Sequence, residues 1–119
     1  MAIITNFSDL DLTKTYSYAD YLLWQFQDRV ELIKGFILKM SPAPSMVHQR
    51  ISNNLTGCFY ENMKRKPCNV FQAPFDVRLP IASAKKDSTV VQPDLCIICD
   101  ESKLDSRGCN GTPDLMVEI

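Results

Sequence analysis

Two carboxylates near the end of this 119-residue chain are spaced to act on one ion. Asp94 follows Pro93 and opens the apolar run Leu95-Cys96-Ile97-Ile98-Cys99. Glu118 lies in a second run, Leu115-Met116-Val117-Glu118-Ile119, which also opens on Pro-Asp. Continuous apolar runs of this length, bounded by turn residues, read as strands buried on both faces. A carboxylate inside such a strand is costly unless something compensates it. If the strands are neighbours, the two side chains converge and repel, and a divalent cation relieves the repulsion. Each residue also has a plain reading. An Asp after Pro opens a strand or caps a turn, and a terminal Glu sits in water.

The elements that must position this pair follow from periodicity. Residues 1–14 are polar and aperiodic and read as a loose leader, and residues 15–119 read as a single domain. Ser17 with Asp20 three residues on forms a weak capping box, which starts a short helix over about 18–25. Val30-Glu31-Leu32-Ile33, Lys34-Gly35 and Phe36-Ile37-Leu38-Lys39-Met40 read as a β-hairpin, with Glu31 a carboxylate in an otherwise apolar strand. Ser41-Pro42-Ala43-Pro44 then breaks the strand into a turn.

From Ser45, a plausible N-cap, the period changes. Val47, Ile51, Leu55, Phe59 and Met63 recur every four residues, with Cys58 on the same face. This is the main helix, with that face expected against the sheet and Gln49, Asn53, Asn54 and Glu61 in solvent. Lys64-Arg65-Lys66 sit where the helix dipole favours cations, and Pro67 ends the element. Strands are expected over 69–72, 75–79 and 89–91, and the segment 100–112 reads as a connecting loop with at most one helical turn. Asp114 shapes the turn into the last strand. Tyr18, Tyr21 and Trp24 read as core residues.

Composition narrows the function classes. A net charge of −1 gives no global attraction to nucleic acid, so any such contact must be local. No run of 18 apolar residues spans a membrane, and no secretory signal opens the chain. Five cysteines in mostly apolar contexts read as buried free thiols in a reducing, cytoplasmic compartment. Cys96 and Cys99 point to opposite faces of a strand and cannot close on one zinc ion.

The order of pieces resembles the Uma-type restriction-endonuclease-like family, a branch of the PD-(D/E)XK nuclease superfamily. The pieces are Tyr18-Ala19-Asp20-Tyr21-Leu22, Glu31-Leu32-Ile33-Lys34-Gly35, Met40-Ser41-Pro42-Ala43-Pro44, His48-Gln49-Arg50-Ile51, Ala73-Pro74-Phe75-Asp76-Val77-Arg78-Leu79, Val90-Val91-Gln92-Pro93-Asp94-Leu95 and Pro113-Asp114-Leu115-Met116-Val117-Glu118-Ile119. Each alone is weak, and the ordered set is specific.

The resemblance implies an α/β fold with a restriction-endonuclease-like core, a mixed β-sheet flanked by helices, incomplete at the C-terminus. It implies that Asp94 and Glu118 hold Mg²⁺ or Mn²⁺ for metal-assisted hydrolysis of phosphodiester bonds in DNA. Glu31 matches the superfamily's early glutamate as an auxiliary carboxylate. His48 stands where the family usually has histidine, as an orienting group.

Two departures matter. Phe36 replaces an acidic residue that the family usually carries after the hairpin glycine. The superfamily's lysine falls beyond Ile119. The chain ends in the middle of a strand by pattern, so it is expected to be a fragment, with feeble or absent activity as it stands. The alternative is a non-catalytic nuclease-fold module for binding or oligomerisation. An uncovered sheet is expected to make the chain a homo-oligomer.

Overall fold

The computed structural model describes residues 3–40, 44–82, 84–85 and 87–119. The turn expected at Ser41-Pro42-Ala43 and the first two residues of the leader lie outside them. The architecture is mixed α/β, as the resemblance implies. The chain forms two compact units: Met1–Pro42 with Arg78–Val91, and Ala43–Val77 with Gln92–Ile119.

The first unit is built on a hairpin. Strands β1 (Val30–Ile33) and β2 (Phe36–Lys39) pair antiparallel, with Ile33 opposite Phe36. The two turn residues, Lys34 at φ 51° and Gly35 at φ 88°, both adopt positive φ. A two-residue turn of this kind matches the twist of the flanking strands, and a glycine lowers its cost. The turn is also docked. Lys34 N–H donates to Thr89 Oγ1 at 2.9 Å, and Gly35 N–H donates to the Ser88 carbonyl at 2.6 Å. Strand β5 (Val90–Val91) adds to β1, with Leu32 opposite Val90.

Leu32, Val90 and Tyr18 form the buried cluster of this unit, packed by Tyr16, Tyr21, Trp24 and Ile37. Tyr18, Tyr21 and Trp24 are therefore core, as their spacing predicts. Helix α1 (Tyr18–Tyr21) starts at Ser17 with the expected capping box and stops well short of residue 25. The reason is tertiary. Ile4 bridges Trp24 as in a parallel ladder, and Gln25 N–H donates to the Ile4 carbonyl at 2.7 Å, so the chain is extended where the helix would continue. Phe7–Asp9 make a 3-10 turn capped by Asn6, and Leu10 behind it is buried.

The second unit packs one long helix on a three-stranded sheet. Helix α2 (Met46–Met63) is capped by Ser45, whose Oγ accepts from His48 N–H at 3.1 Å. Strands β3 (Asn69–Gln72), β6 (Leu95–Ile98) and β8 (Leu115–Val117) run antiparallel in the order β3-β6-β8. Every residue of the central β6 is buried, which accounts for its unbroken apolar run. Strand β8 is an edge, and its apolar run is not buried: Leu115 is 42% and Met116 40% exposed. Glu118 is exposed too, so it carries no cost of burial, contrary to the expectation of a strand covered on both faces.

Strand β4 (Asp76–Arg78) contributes Arg78 to the first unit and Asp76 and Val77 to the second. The segment expected as loop contains, besides a 3-10 turn at Glu101–Lys103, the strand β7 (Gly108–Asn110), which neighbours β4. Gly108 is its signal. At φ 154° it is a position side chains rarely adopt, and a β-carbon there would collide with the Asp76 carbonyl oxygen.

Two corrections concern the cysteines. Cys68 and Cys99 are joined in a disulfide, so they are not the free thiols expected. The pairing of Asn69 with Ile98 explains it, because one step further along the same ladder sets Cys68 opposite Cys99. Cys58 lies outside any disulfide and is exposed, not buried, while Cys96 and Cys109 are buried thiols outside any disulfide, as expected.

Candidate functional site

The site is built on β6 and β8. Leu95 stands opposite Val117 and Cys96 opposite Met116. Continuing this antiparallel register by one residue brings Asp94 opposite Glu118. Directly opposed residues project on one face of a sheet, about 5 Å apart at the β-carbon. The adjacency of the two Pro-Asp runs, on which the expected convergence depends, is what the structure shows. Pro-Asp at the head of β8 also has a structural task. Asp114 N–H donates to the Ile97 carbonyl at 2.9 Å, and its carboxylate accepts from Cys99 N–H at 2.7 Å. These bonds pin the start of β8 to the end of β6 and so set the register.

Asp94 is held from several sides. Its carbonyl accepts from Ala73 N–H at 3.1 Å, which ties it to the end of β3. Its Oδ2 accepts from Ile119 N–H at 2.8 Å. Its Oδ1 lies 3.2 Å from His48 Nε2. The half-buried carboxylate is thus oriented by a backbone amide of the β8 segment and an imidazole from α2. For Nε2 to donate to Asp94, the proton must sit on that nitrogen. The other ring nitrogen, Nδ1, is buried and has no hydrogen-bond partner among the described residues.

The contact of His48 with Asp94 explains how α2 lies on its sheet. The expected inward stripe began with Val47 and Ile51, but these are 57% and 42% exposed. The inward stripe is instead His48, Ser52, Leu55, Thr56, Phe59 and Met63. Ser52 is buried and accepts a hydrogen bond from Gln72 Nε2 at 3.3 Å. Polar contacts at the first two turns rotate the helix by one residue from the orientation its aliphatic residues predict. The later half keeps Leu55, Phe59 and Met63 on the sheet side, as expected.

Glu31 lies on β1 opposite Leu38, half-buried, in the first unit. The structure thus brings His48 against Asp94 within the second unit, and Glu118 follows β8, the strand beside β6. Asp94 and Glu118 suit a hard divalent cation in donor type, because both offer carboxylate oxygen. Among the described residues, no group of three or more His, Cys, Asp or Glu side chains could hold a metal ion. Two features of the site went unseen in the sequence: the Ile119 amide on Asp94, and the buried Ser52. Backbone donors carry no residue signature, and a lone serine inside a helix has no pattern to find.

A mixed α/β fold of restriction-endonuclease-like type is the class these observations define. The chain belongs to the Uma2 family, described as putative restriction endonuclease, which matches residues 18–119, and through it to the PD-(D/E)XK superfamily. Membership makes DNA the substrate class that the family implies. No curated protein is detectably similar to the chain. No helix among the described residues is long and apolar enough to cross a membrane.

Proposed function

We propose that the second unit carries a divalent-metal site for phosphodiester hydrolysis in DNA. Asp94 and Glu118 hold the ion, and His48 positions Asp94. The observation that supports this reading is the β6–β8 register, one step beyond which positions 94 and 118 fall opposite each other. Mg²⁺ or Mn²⁺ suits an all-oxygen pair, and when bound such an ion polarises the scissile phosphate and lowers the pKa of the attacking water.

The remaining steps belong to the chain. The Ile119 amide and His48 hold the Asp94 carboxylate in one orientation, so little reorganisation accompanies cation binding. Glu118, exposed on the edge strand, lies open to solvent and to a phosphate backbone. Without a cation, the same pair repels phosphate.

Calorimetric Mn²⁺ titration of the wild type, Asp94→Asn and Glu118→Gln tests the site. Wild-type binding is expected to be weak, because two carboxylates leave most of the ion's waters in place. Asp94→Asn keeps the shape, removes the charge, and should abolish both Mn²⁺ uptake and any Mn²⁺-dependent cleavage of duplex DNA. Equal uptake with and without Asp94 would remove the metal site. A second reading, favoured by the small donor set, then takes its place: a non-catalytic module of the same fold that binds DNA or a second copy of itself.

A further inference from the structure

One face of α2 has no polar partner among the described residues. Met46, Gln49, Arg50, Asn53 and Asn54 fall at positions i, i+3, i+4, i+7 and i+8, all exposed, and line a shallow groove of about 320 Å³. Gln49, Arg50, Asn53 and Asn54 make no side-chain hydrogen bond or ion pair with any described residue. The inward stripe that carries His48 lies on the opposite side of the same helix.

The charge of this element differs from that of the chain. Between residues 44 and 66 there are four cations, Arg50, Lys64, Arg65 and Lys66, against one carboxylate, Glu61. Glu61 is itself paired with Lys64 at 2.9 Å. A chain of net charge −1 therefore presents a locally basic segment, in which the first fifteen positions of α2 hold Arg50 and no acidic residue and the other three cations stand at and just past its C-cap. That is the local patch the overall charge balance demands of any contact with a polyanion.

We infer that the outer face of α2 is a duplex-DNA contact surface, in which Gln49, Arg50, Asn53 and Asn54 meet base edges in the major groove and Lys64, Arg65 and Lys66 meet phosphates. This rests on the proposal that the protein acts on DNA, and it adds the surface that would select the sequence. The side-chain chemistry fits the occupant. A guanidinium donates in bidentate fashion to guanine, Asn and Gln amides pair with adenine, and an apolar tip such as Met46 can contact a thymine methyl. The dimensions fit as well. Residues 49 and 53 are about 6 Å apart along the axis, close to two base-pair steps. The helix is about 10–12 Å across and the major groove about 12 Å wide. A duplex seated on the outer face thus carries its phosphate walls past the flanks of the helix.

The test is fluorescence anisotropy with labelled duplex DNA in EDTA, where no metal contributes, together with selection from randomised duplexes. The wild type should bind, more weakly as salt rises, and should enrich a sequence preference. Arg50→Ala should weaken binding to the enriched sequence by roughly tenfold or more. Gln49→Ala/Asn53→Ala/Asn54→Ala should erase the preference while keeping salt-dependent binding. Lys64→Ala/Arg65→Ala/Lys66→Ala should weaken all sequences alike and flatten the salt dependence. All these residues are exposed and alanine favours helix, so the fold is retained, and circular dichroism checks it. No binding by the wild type, or binding unchanged in the Arg50 and triple-amide variants, overturns the inference. The Mn²⁺ titration answers separately for the metal site, so either reading can fail while the other stands.

Discussion

His48 and Asp94 lie 46 positions apart in the chain, in a geometry that neither residue's neighbours reveal: Nε2 of one stands 3.2 Å from Oδ1 of the other. The contact joins the first turns of α2 to the head of β6. It turns a histidine toward the sheet where the aliphatic spacing would have put Val47 and Ile51. It also leaves the opposite carboxylate oxygen to the Ile119 amide.

If His48 positions Asp94, its removal should loosen the carboxylate without removing charge from the metal site. His48→Ala is expected to weaken Mn²⁺ binding about tenfold or more, in the range typical of residues that orient a ligand. His48→Gln, which can still donate to the carboxylate, should recover part of it. Electron paramagnetic resonance titration reads both. Equal affinity in all three proteins would reduce the contact to helix packing.

The rotation of α2 is testable through stability. Leu55 is half-buried on the sheet side, and Leu55→Ala should destabilise the protein by about 2 kcal/mol, at the low end for an aliphatic truncation. Ile51 stands 42% exposed, and Ile51→Ala should cost less than about 1 kcal/mol. Urea unfolding midpoints compare the two. A larger loss at position 51 than at 55 would restore the face expected from periodicity.

Gly108 should be nearly irreplaceable. Its φ of 154° and the Asp76 carbonyl where a β-carbon would stand leave no room for alanine. Gly108→Ala is expected to destabilise by about 3 kcal/mol or more, among the large effects of point substitution. Gly57, with open space around its β-carbon position, is the matched control. Gly57→Ala should stabilise slightly, because it sits inside a helix.

The thiols should separate by reactivity. Burial pushes the Cys96 thiol up to about 12, so it stays neutral and inert to alkylation at pH 8, whereas Cys58 is exposed and reacts. Mass spectrometry after iodoacetamide treatment distinguishes them. The raised value also sets a direction with pH. Unfolded Cys96 ionises from about pH 9 while the folded thiol holds its proton to about 12. Its contribution to stability is thus full below pH 9 and falls as pH rises through that window.

Strand β8 ends its sheet with Leu115 and Met116 partly exposed and no residue that discourages pairing at its centre. An edge of this kind favours association with a second chain. Sedimentation velocity is expected to show concentration-dependent self-association. Met116→Lys, which places a charge on the edge, should reduce it. A monomer at every concentration would count against homo-oligomerisation through this strand.

Local chemistry was written in the sequence. Lys34-Gly35 specified the hairpin turn, Ser17 with Asp20 and Ser45 specified two helix starts, and the unbroken run at 95–98 specified a buried central strand. Each depends only on residues a few positions apart. The ordered motifs carried the family as well, and with it the pairing of Asp94 and Glu118 as candidates. What needed the tertiary structure is non-local. The face of α2 was decided by Asp94, just before β6, and Gln72, at the end of β3, which reward polar side chains with hydrogen bonds. The exposure of β8 was decided by its place at the edge of the sheet, which an apolar run cannot announce. The disulfide was decided by the β3–β6 register, which sets Cys68 opposite Cys99. Strand β7 hid in a polar segment because it pairs by its backbone, and only Gly108 marked the close approach. Spacing along the chain reports what a residue can do, whereas register and packing determine which residue it does it with.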